Sequence, residues 1–208
     1  SLLGNVAVSV ATSCIVYVLT ILAAQKILDI SAVHQAGYIC AMLFVIPGFP
    51  LITGGIDLAK LDMRSGLERI AYALLIITAA TLTGWATAMV FHFQPADFPD
   101  LQLPTVTRML LRIAASFFGV YGFSLMFNSP RKMVLTAGLI GMLTNTLRLE
   151  LIDLAGMPVG IAAFIGAFAS GCIASLVKKY IGFPRISLTV PAIVIMVPGL
   201  FMYRGIYY

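Results

Sequence analysis

The chain has 208 residues, of which 61% are hydrophobic and only 10% are charged, and its formal net charge is +5. In a soluble domain roughly a quarter of all residues are charged and cover its surface, so this composition excludes an ordinary soluble protein. An oversized buried core is excluded too, because 208 residues cannot hide that much apolar area. The sequence therefore predicts an all-α integral membrane protein whose main solvent is the lipid bilayer.

The thirteen Lys and Arg residues are scattered singly or in pairs between apolar runs, which is not a nucleic-acid-binding pattern. The cysteines Cys14, Cys40 and Cys172 lie inside apolar segments without metal-ligand spacing, and we interpret them as packing residues. The sequence contains no nucleophile elbow, phosphate loop, metal-ligand cluster or cofactor fingerprint. It therefore predicts no enzymatic activity, no cofactor and no nucleic-acid partner.

Seven apolar stretches are long enough to cross a bilayer core, which needs about 20 residues per helix. In chain order they cover residues 2–24, 34–57, 67–92, 107–127, 133–153, 158–177 and 186–206. The connections are short, apart from an acidic loop at 93–106 that contains Asp97 and Asp100. The chain opens with Ser1 and has no basic leader, so we expect a fragment or a processed chain.

If successive spans alternate in direction, the connecting segments fall on two sides of the membrane. The basic residues are distributed unevenly between these two sides. One side receives Lys60, Arg64, Arg69, Arg131, Lys132, Lys178, Lys179 and Arg185, and the other receives Lys26, Arg108, Arg112, Arg148 and Arg204. The positive-inside rule places the first group in the cytoplasm. We therefore predict a multi-pass protein of the cell membrane (inner or plasma) with a cytoplasmic first residue and an external acidic loop.

A Pro-Gly pair interrupts the second and seventh spans, at Pro47-Gly48 and at Pro198-Gly199. Pro lacks a backbone donor and clashes with the preceding helical turn, while Gly accepts almost any backbone angle. The pairs predict two broken helices with freed amides and carbonyls near the middle of the membrane, where protein or a water-filled cavity must meet them. A simple proline kink is the alternative interpretation.

The two Pro-Gly pairs are 151 residues apart, and passing from the second span to the seventh crosses five helices. An odd number of crossings means that the two broken helices run in opposite directions. Inverted-repeat transporters have this arrangement, and their paired broken helices mark a substrate site near the midplane. Residues 1–92 are then the last three helices of a first repeat and 107–208 the first four of a second, so we expect helices before Ser1 and one more after Tyr208.

Charged and polar residues inside the spans are further candidates for the site. Asn145 and Arg148 lie on nearly the same face of the fifth span, and an ionised side chain at that depth usually faces a cavity or a partner. Asp57 and Arg204 follow the two broken segments at matching places, on opposite sides of the membrane. We predict that both handle an ion or the substrate.

Other polar and small residues receive structural interpretations. Glu150 and Asp153 point to another face than Arg148, and the sequence leaves open whether they belong to a site or to the membrane interface. The basic cluster at 60–69 is interpreted as a solvated loop that sets orientation. The small residues at every fourth position from Ala162 to Ala174 are interpreted as a close-packing stripe.

The first broken helix and the residues that follow it form a motif. It consists of Pro47-Gly48, Pro50-Leu51, Thr53, Asp57, Asp62, Ser65-Gly66 and Arg69. This motif resembles the first domain of the threonine/serine exporter family. Two residues depart from the family pattern, because Leu61 replaces a usual Gly and Ile56 replaces a common Arg.

Residues 107–208 resemble the second domain of the same family, through Pro130-Arg131 and through Val197-Pro198-Gly199 followed by Tyr203. The resemblance implies ten helices in two five-helix halves, with this chain lacking the beginning and the end. It also implies export of small hydroxy amino acids driven by the proton gradient. Relatives whose halves are separate chains are associated with dicarboxylate export.

The sequence therefore predicts a secondary active transporter with about seven transmembrane helices that exports threonine or serine, coupled to protons. The unwound backbone at the two Pro-Gly pairs would bind the substrate carboxylate and ammonium, Asp57 would couple protons, and Arg204 or Arg148 would be the anion partner. The alternatives are a dicarboxylate (succinate-type) exporter, a non-coupled channel, a membrane scaffold, and an intramembrane enzyme for which a catalytic pair is missing. The sequence leaves a homo-oligomer open.

Overall fold

The computed structural model of the protein describes residues 1–28, 36–92, 103–197 and 199. These residues form eight α-helices and no strand. The helices are α1 (Leu2–Leu28), α2 (Ala36–Leu43), α3 (Gly48–Ala59), α4 (Met63–Val90), α5 (Thr105–Met126), α6 (Arg131–Asp153), α7 (Val159–Ile181) and α8 (Arg185–Val194). Helices α1 to α4 form one compact unit, called unit 1 below, and α5 to α8 form a second, called unit 2.

Four single helices are long and apolar enough to cross a membrane, namely α1, α4, α5 and α7. Helices α2 and α3 meet the same requirement together, as a broken pair bent by 57°. Five of the seven predicted spans are therefore supported within the described residues.

The two remaining spans stay predictions. Helix α6 has 23 residues but is less apolar, because its second half carries Asn145, Arg148 and Glu150. Helix α8 has only 10 residues, and most of the chain beyond it lies outside the described part. The prediction of an inverted repeat depends on these two segments and stays a prediction as well.

Unit 1 packs around a stripe of α1 in which every fourth residue is buried, from Val6 to Val18. Helix α2 completes this core with Tyr38 and Met42, both of which are fully buried. The Tyr38 hydroxyl donates a hydrogen bond to the carbonyl of Gly84 on α4 at 2.6 Å. Gly84 is needed there, because a Cβ at this position would come within 2.6 Å of the Met42 sulfur.

Unit 2 packs through small residues. Gly141 of α6 is in such close contact with Val120 of α5 that a Cβ would overlap it. The stripe Ala162, Gly166, Ser170 and Ala174 on α7 is buried, as the sequence predicted. A close approach of helices through small residues is the usual way in which membrane helices associate, since lipid provides no hydrophobic force between them.

Every helix of unit 2 begins directly after a proline. The prolines are Pro104, Pro130, Pro158 and Pro184. Proline suits this N-cap position because it has no N–H that would need a partner, and its fixed φ, −51° to −59° here, is compatible with the helix that follows. The prolines therefore set the starting points of the four helices from which the second part of the candidate site is built.

Candidate functional site

The first broken span leaves the helical conformation at residues 44–47, between α2 and α3. A proline ring clashes with the carbonyl four residues before it, which for Pro47 is the carbonyl of Leu43, the last residue of α2. That carbonyl instead accepts a hydrogen bond from the Ile46 amide at 3.1 Å. Helix α3 then starts at Gly48, which is buried. The prediction of a broken helix at Pro47-Gly48 is confirmed.

The second Pro-Gly pair follows a helix end with the same hydrogen bonds. Helix α8 ends at Val194, four residues before Pro198, just as α2 ends four residues before Pro47. The amides of Met196 and Val197 donate to the carbonyls three residues earlier at 2.9 and 3.1 Å, and those of Val45 and Ile46 do so at 3.2 and 3.1 Å. Pro198, Tyr203 and Arg204 themselves lie outside the described residues, and Gly199 is the single described residue of that stretch.

Helices α3 and α4 cross where two glycines face each other. A Cβ on Gly54 would lie 3.2 Å from the Gly66 carbonyl oxygen, and a Cβ on Gly66 would lie 3.0 Å from that of Gly54. Thr53 is buried beside this crossing, and its hydroxyl donates to the carbonyls of Phe49 and Pro50 at 3.0 and 3.3 Å. The Thr53 hydroxyl thus finds its hydrogen-bond acceptors within the first turn of α3.

A tight turn joins the two helices, and the Asp62 carboxylate caps α4 by accepting from the Ser65 amide at 3.3 Å. The Asp62 amide donates back to the carbonyl of Asp57 at 3.0 Å. Leu61 adopts a left-handed conformation in this turn, with φ of 64°. The departure of Leu61 from the family's usual Gly therefore falls on a backbone position that favours glycine.

Asp57 forms an ion pair with Arg69 of α4, with Nε and Oδ2 3.2 Å apart. The Asp57 side chain is 22% exposed and that of Arg69 48%, and the paired carboxylate oxygen is sealed from solvent without a well-aligned hydrogen bond. Within the described part of the chain, Arg69 is thus the one cationic partner of Asp57. The interpretation of Arg69 as part of a solvated loop is wrong for this residue. The Ser65-Gly66-x-x-Arg69 spacing could have indicated the ion pair, because Gly66 allows this face of α4 to approach α3.

A cleft of about 450 Å³ opens beside this ion pair. Its lining combines Phe49, Pro50 and Thr53 of α3 with Ser65, Glu68, Arg69 and Tyr72 of α4. Glu68 also pairs with Arg64 one turn away, at 3.1 Å, and both of those side chains are exposed. The cleft therefore offers charged, hydroxyl and aromatic groups to a small polar solute.

In unit 2 the structure brings together two predicted site residues and one that the sequence did not single out. Arg148 donates from Nε to the Asn145 side-chain oxygen at 3.0 Å. Asn145 donates in turn from Nδ2 to the Ser116 hydroxyl of α5 at 2.8 Å. Asn145 and Ser116 are buried, while Arg148 is half-buried. Ser116 is one of several hydroxyl residues in α5, a signal too common to be noticed without its partner.

The acidic residues at the end of α6 belong to a separate network with α5. Arg112 donates to Glu150 at 3.2 Å and to Asp153 at 2.6 Å. Arg108 lies 3.7 Å from the same Asp153 oxygen. Both carboxylates are therefore neutralised by arginines of α5 and are not free to pair with Arg148.

Apolar spans, one of them broken, together with hydrogen-bonded polar groups inside the helices are features of a membrane transport protein. A family model described as "Putative threonine/serine exporter" matches residues 1–92, and one described as "Threonine/Serine exporter, ThrE" matches residues 112–208. The chain belongs to the threonine/serine exporter family, as the two motifs predicted. No curated protein and no solved structure matches it significantly.

Proposed function

We propose that the protein exports threonine or serine across the cell membrane and that the proton gradient drives this export through Asp57. The observation that carries the proposal is the Asp57–Arg69 ion pair, which joins the second half of the broken span to α4. Membership of the exporter family supports the substrate class and the outward direction.

Proton coupling requires a group that changes charge and a structural element that responds to the change. Asp57 is the only acidic residue in α3, and Arg69 is its one cationic partner in the described structure. A proton on Asp57 would remove the attraction to Arg69, while the packing at Gly54 and Gly66 and the turn that joins the two helices would remain. The contact between α3 and α4 would then have two states, one with the ion pair formed and one with Asp57 protonated and the ion pair lost.

The cleft beside the ion pair supports a small polar substrate. Its volume of about 450 Å³ lies within the range of roughly 300–1,000 Å³ that is usual for small-molecule sites. On the orientation that the loop charges predict, the cleft faces the cytoplasm, where an exporter collects its substrate. We propose that Pro47, Gly48 and Thr53 line the route from this cleft into the broken span, and that Pro198, Gly199, Tyr203 and Arg204 have the equivalent place in the second repeat.

A dicarboxylate such as succinate is the second candidate substrate. Arg148 favours it, because a half-buried arginine without a described carboxylate partner suits an anionic substrate. An amino acid and a dicarboxylate share the carboxylate that Arg148 would recognise, so the choice between them rests on transport measurements.

The test is efflux from cells preloaded with threonine, serine or succinate, with and without a proton gradient across the membrane. The full-length protein should export threonine and serine, and export should rise with the gradient. Asp57→Asn should export at a rate that no longer responds to the gradient. Asp62→Asn is the matched control, because Asn caps a helix about as well as Asp and the charge lost there lies outside the ion pair.

Four results would change the conclusion. Unaltered gradient dependence in Asp57→Asn would remove Asp57 from the coupling mechanism. Flux that ignores the gradient in the unmodified protein would indicate a channel, and the absence of any flux would indicate a scaffold. Export of succinate in preference to both amino acids would assign the protein to the second candidate substrate.

A further inference from the structure

Among the residues that the structure describes, Arg148 is a cation without a counter-ion. It lies in the second half of α6, is half-buried, and has no carboxylate oxygen within 4.0 Å among the described residues. The other basic residues of the described part of unit 2 are either paired, as Arg108 and Arg112 are, or exposed. A guanidinium at this depth is costly unless an anion or a water-filled cavity meets it.

The neighbouring acids cannot supply that anion. Glu150 and Asp153 follow Arg148 within two turns of α6, but both are held by Arg112. In the described structure Arg112 keeps both carboxylates, so neither of them pairs with Arg148. The charges at this end of α5 and α6 therefore leave one positive charge over, and it resides on Arg148.

A chain of hydrogen bonds fixes the orientation of Arg148. Ser116 accepts from Asn145, and Asn145 accepts from Nε of Arg148, so the plane of the guanidinium is set from its Nε side. The described residues give the terminal nitrogens Nη1 and Nη2 no hydrogen bond. Two parallel N–H groups with a fixed direction are the arrangement that binds a carboxylate most strongly.

Gly166 of α7 brings this arginine close to the turn that ends α8. A Cβ on Gly166 would lie 3.2 Å from Cβ of Arg148 and 3.3 Å from the sulfur of Met196, in the turn before Pro198. The same glycine surface thus accommodates Arg148 and the turn after α8, just before the predicted break at Pro198. Backbone groups released by a helix break are the polar partners that transporters offer to a substrate.

We propose that Arg148 binds the carboxylate of the transported substrate, with Asn145 and Ser116 as positioning residues. The inference rests on the proposed function for the identity of the substrate, but it concerns the carboxylate that threonine, serine and succinate have in common. It places a binding site in unit 2, whereas the Asp57–Arg69 pair belongs to unit 1.

The test measures binding to the purified full-length protein in lipid nanodiscs by titration calorimetry, with threonine, threonine amide and succinate as ligands. Threonine amide keeps the ammonium and hydroxyl groups but lacks the negative charge. Arg148→Gln should weaken threonine binding by about 10- to 100-fold, the effect of losing a charge-assisted pair. It should leave the weak binding of threonine amide unchanged. Lys132→Gln, on the exposed start of the same helix, is the matched loss of a cation and should change neither.

Asn145→Asp separates binding from folding. The new carboxylate would be isosteric with the amide, could accept from both Ser116 and Arg148, and would give Arg148 an internal counter-ion. We expect it to fold with a midpoint of thermal unfolding at or above that of the unmodified protein, and yet to lose threonine binding as Arg148→Gln does. A purely structural role for Arg148 would give the same gain in stability but with threonine binding retained.

The outcomes also separate this inference from the proposed function. Binding of succinate but not threonine, lost in Arg148→Gln, would overturn the proposed substrate and support the carboxylate site. Threonine export with undiminished binding in Arg148→Gln and Asn145→Asp would support the function and overturn the site. If neither carboxylate binds to the unmodified protein, the inference is wrong.

Discussion

At the scale of single residues, Leu61 is the clearest point of backbone strain. Its φ of 64° is left-handed, and its side chain is 83% exposed, so little packing offsets the unfavourable backbone. A left-handed residue with a Cβ costs roughly 1–2 kcal/mol. We predict that Leu61→Gly stabilises the protein by about 0.5–1 kcal/mol, the remainder being offset by the larger backbone entropy of unfolded glycine. Thermal unfolding in detergent would measure the gain.

Leu61→Ala is the control for this prediction, since it removes the exposed leucine but keeps a Cβ at the same φ. It should show no gain. If the alanine variant were stabilised as much as the glycine variant, the exposed apolar side chain rather than the backbone would be the source of the instability.

Residue types could be predicted from the sequence, but their partners could not. Asp57, Asn145 and Arg148 attract attention because a charged or amide side chain is unexpected in an apolar span. Arg69 and Ser116 are ordinary until the structure shows which faces of α4 and α5 meet α3 and α6. Those faces depend on the approach of neighbouring helices at small residues, and periodicity within one helix does not specify it.

At the scale of helices, the crossing of α3 and α4 is fixed by glycines. An added Cβ on Gly66 would lie 2.6 Å from a methyl carbon of Leu58, 2.7 Å from its Cγ and 3.0 Å from the Gly54 carbonyl oxygen, so a methyl group forces the helices apart. We predict that Gly66→Ala destabilises unit 1 by about 1–3 kcal/mol, as overpacking usually does. It should also weaken the Asp57–Arg69 pair, because Arg69 follows Gly66 by one turn.

Gly55→Ala is the matched control on the facing helix. A Cβ there meets nothing within 4 Å, and alanine favours the helix by about 0.5–1 kcal/mol over glycine. The control should therefore be neutral or slightly stabilising in the same thermal unfolding measurement. Equal destabilisation by both substitutions would show that glycine flexibility within α3 and α4, rather than their close approach, is what the fold requires.

The ends of α2 and α8 were predictable in position because proline acts locally. Each helix ends at the residue whose carbonyl the proline ring would strike, Leu43 before Pro47 and Val194 before Pro198. The 57° angle between α2 and α3 was not predictable, because packing of Tyr38 and Met42 on one side and of Gly54 on the other determines it. A local rule thus gives the place of a break, and tertiary contacts give its direction.

At the scale of the whole molecule, the orientation of the second Pro-Gly segment depends on α6. This helix is long enough to span a bilayer but carries Asn145 and Arg148 inside and the Arg112 network at its end. If α6 crosses the membrane, five crossings separate the two Pro-Gly segments and they run in opposite directions. Without that crossing they would run in the same direction, and the inverted repeat would not exist.

Cysteine labelling distinguishes these topologies. In a variant with Cys14, Cys40 and Cys172 replaced by serine, single cysteines would be introduced at Lys60, Lys132, Ala155 and Lys178 and treated with a membrane-impermeant thiol reagent from either side. We predict labelling of positions 60, 132 and 178 from the cytoplasm and of position 155 from outside, following the positive-inside rule. Position 155 labelled on the same side as 132 would show that α6 does not cross. Helix α7 is long and apolar enough to span the membrane, so position 178 would then lie outside. The natural Lys178 and Lys179 would in that case be external, against the positive-inside rule.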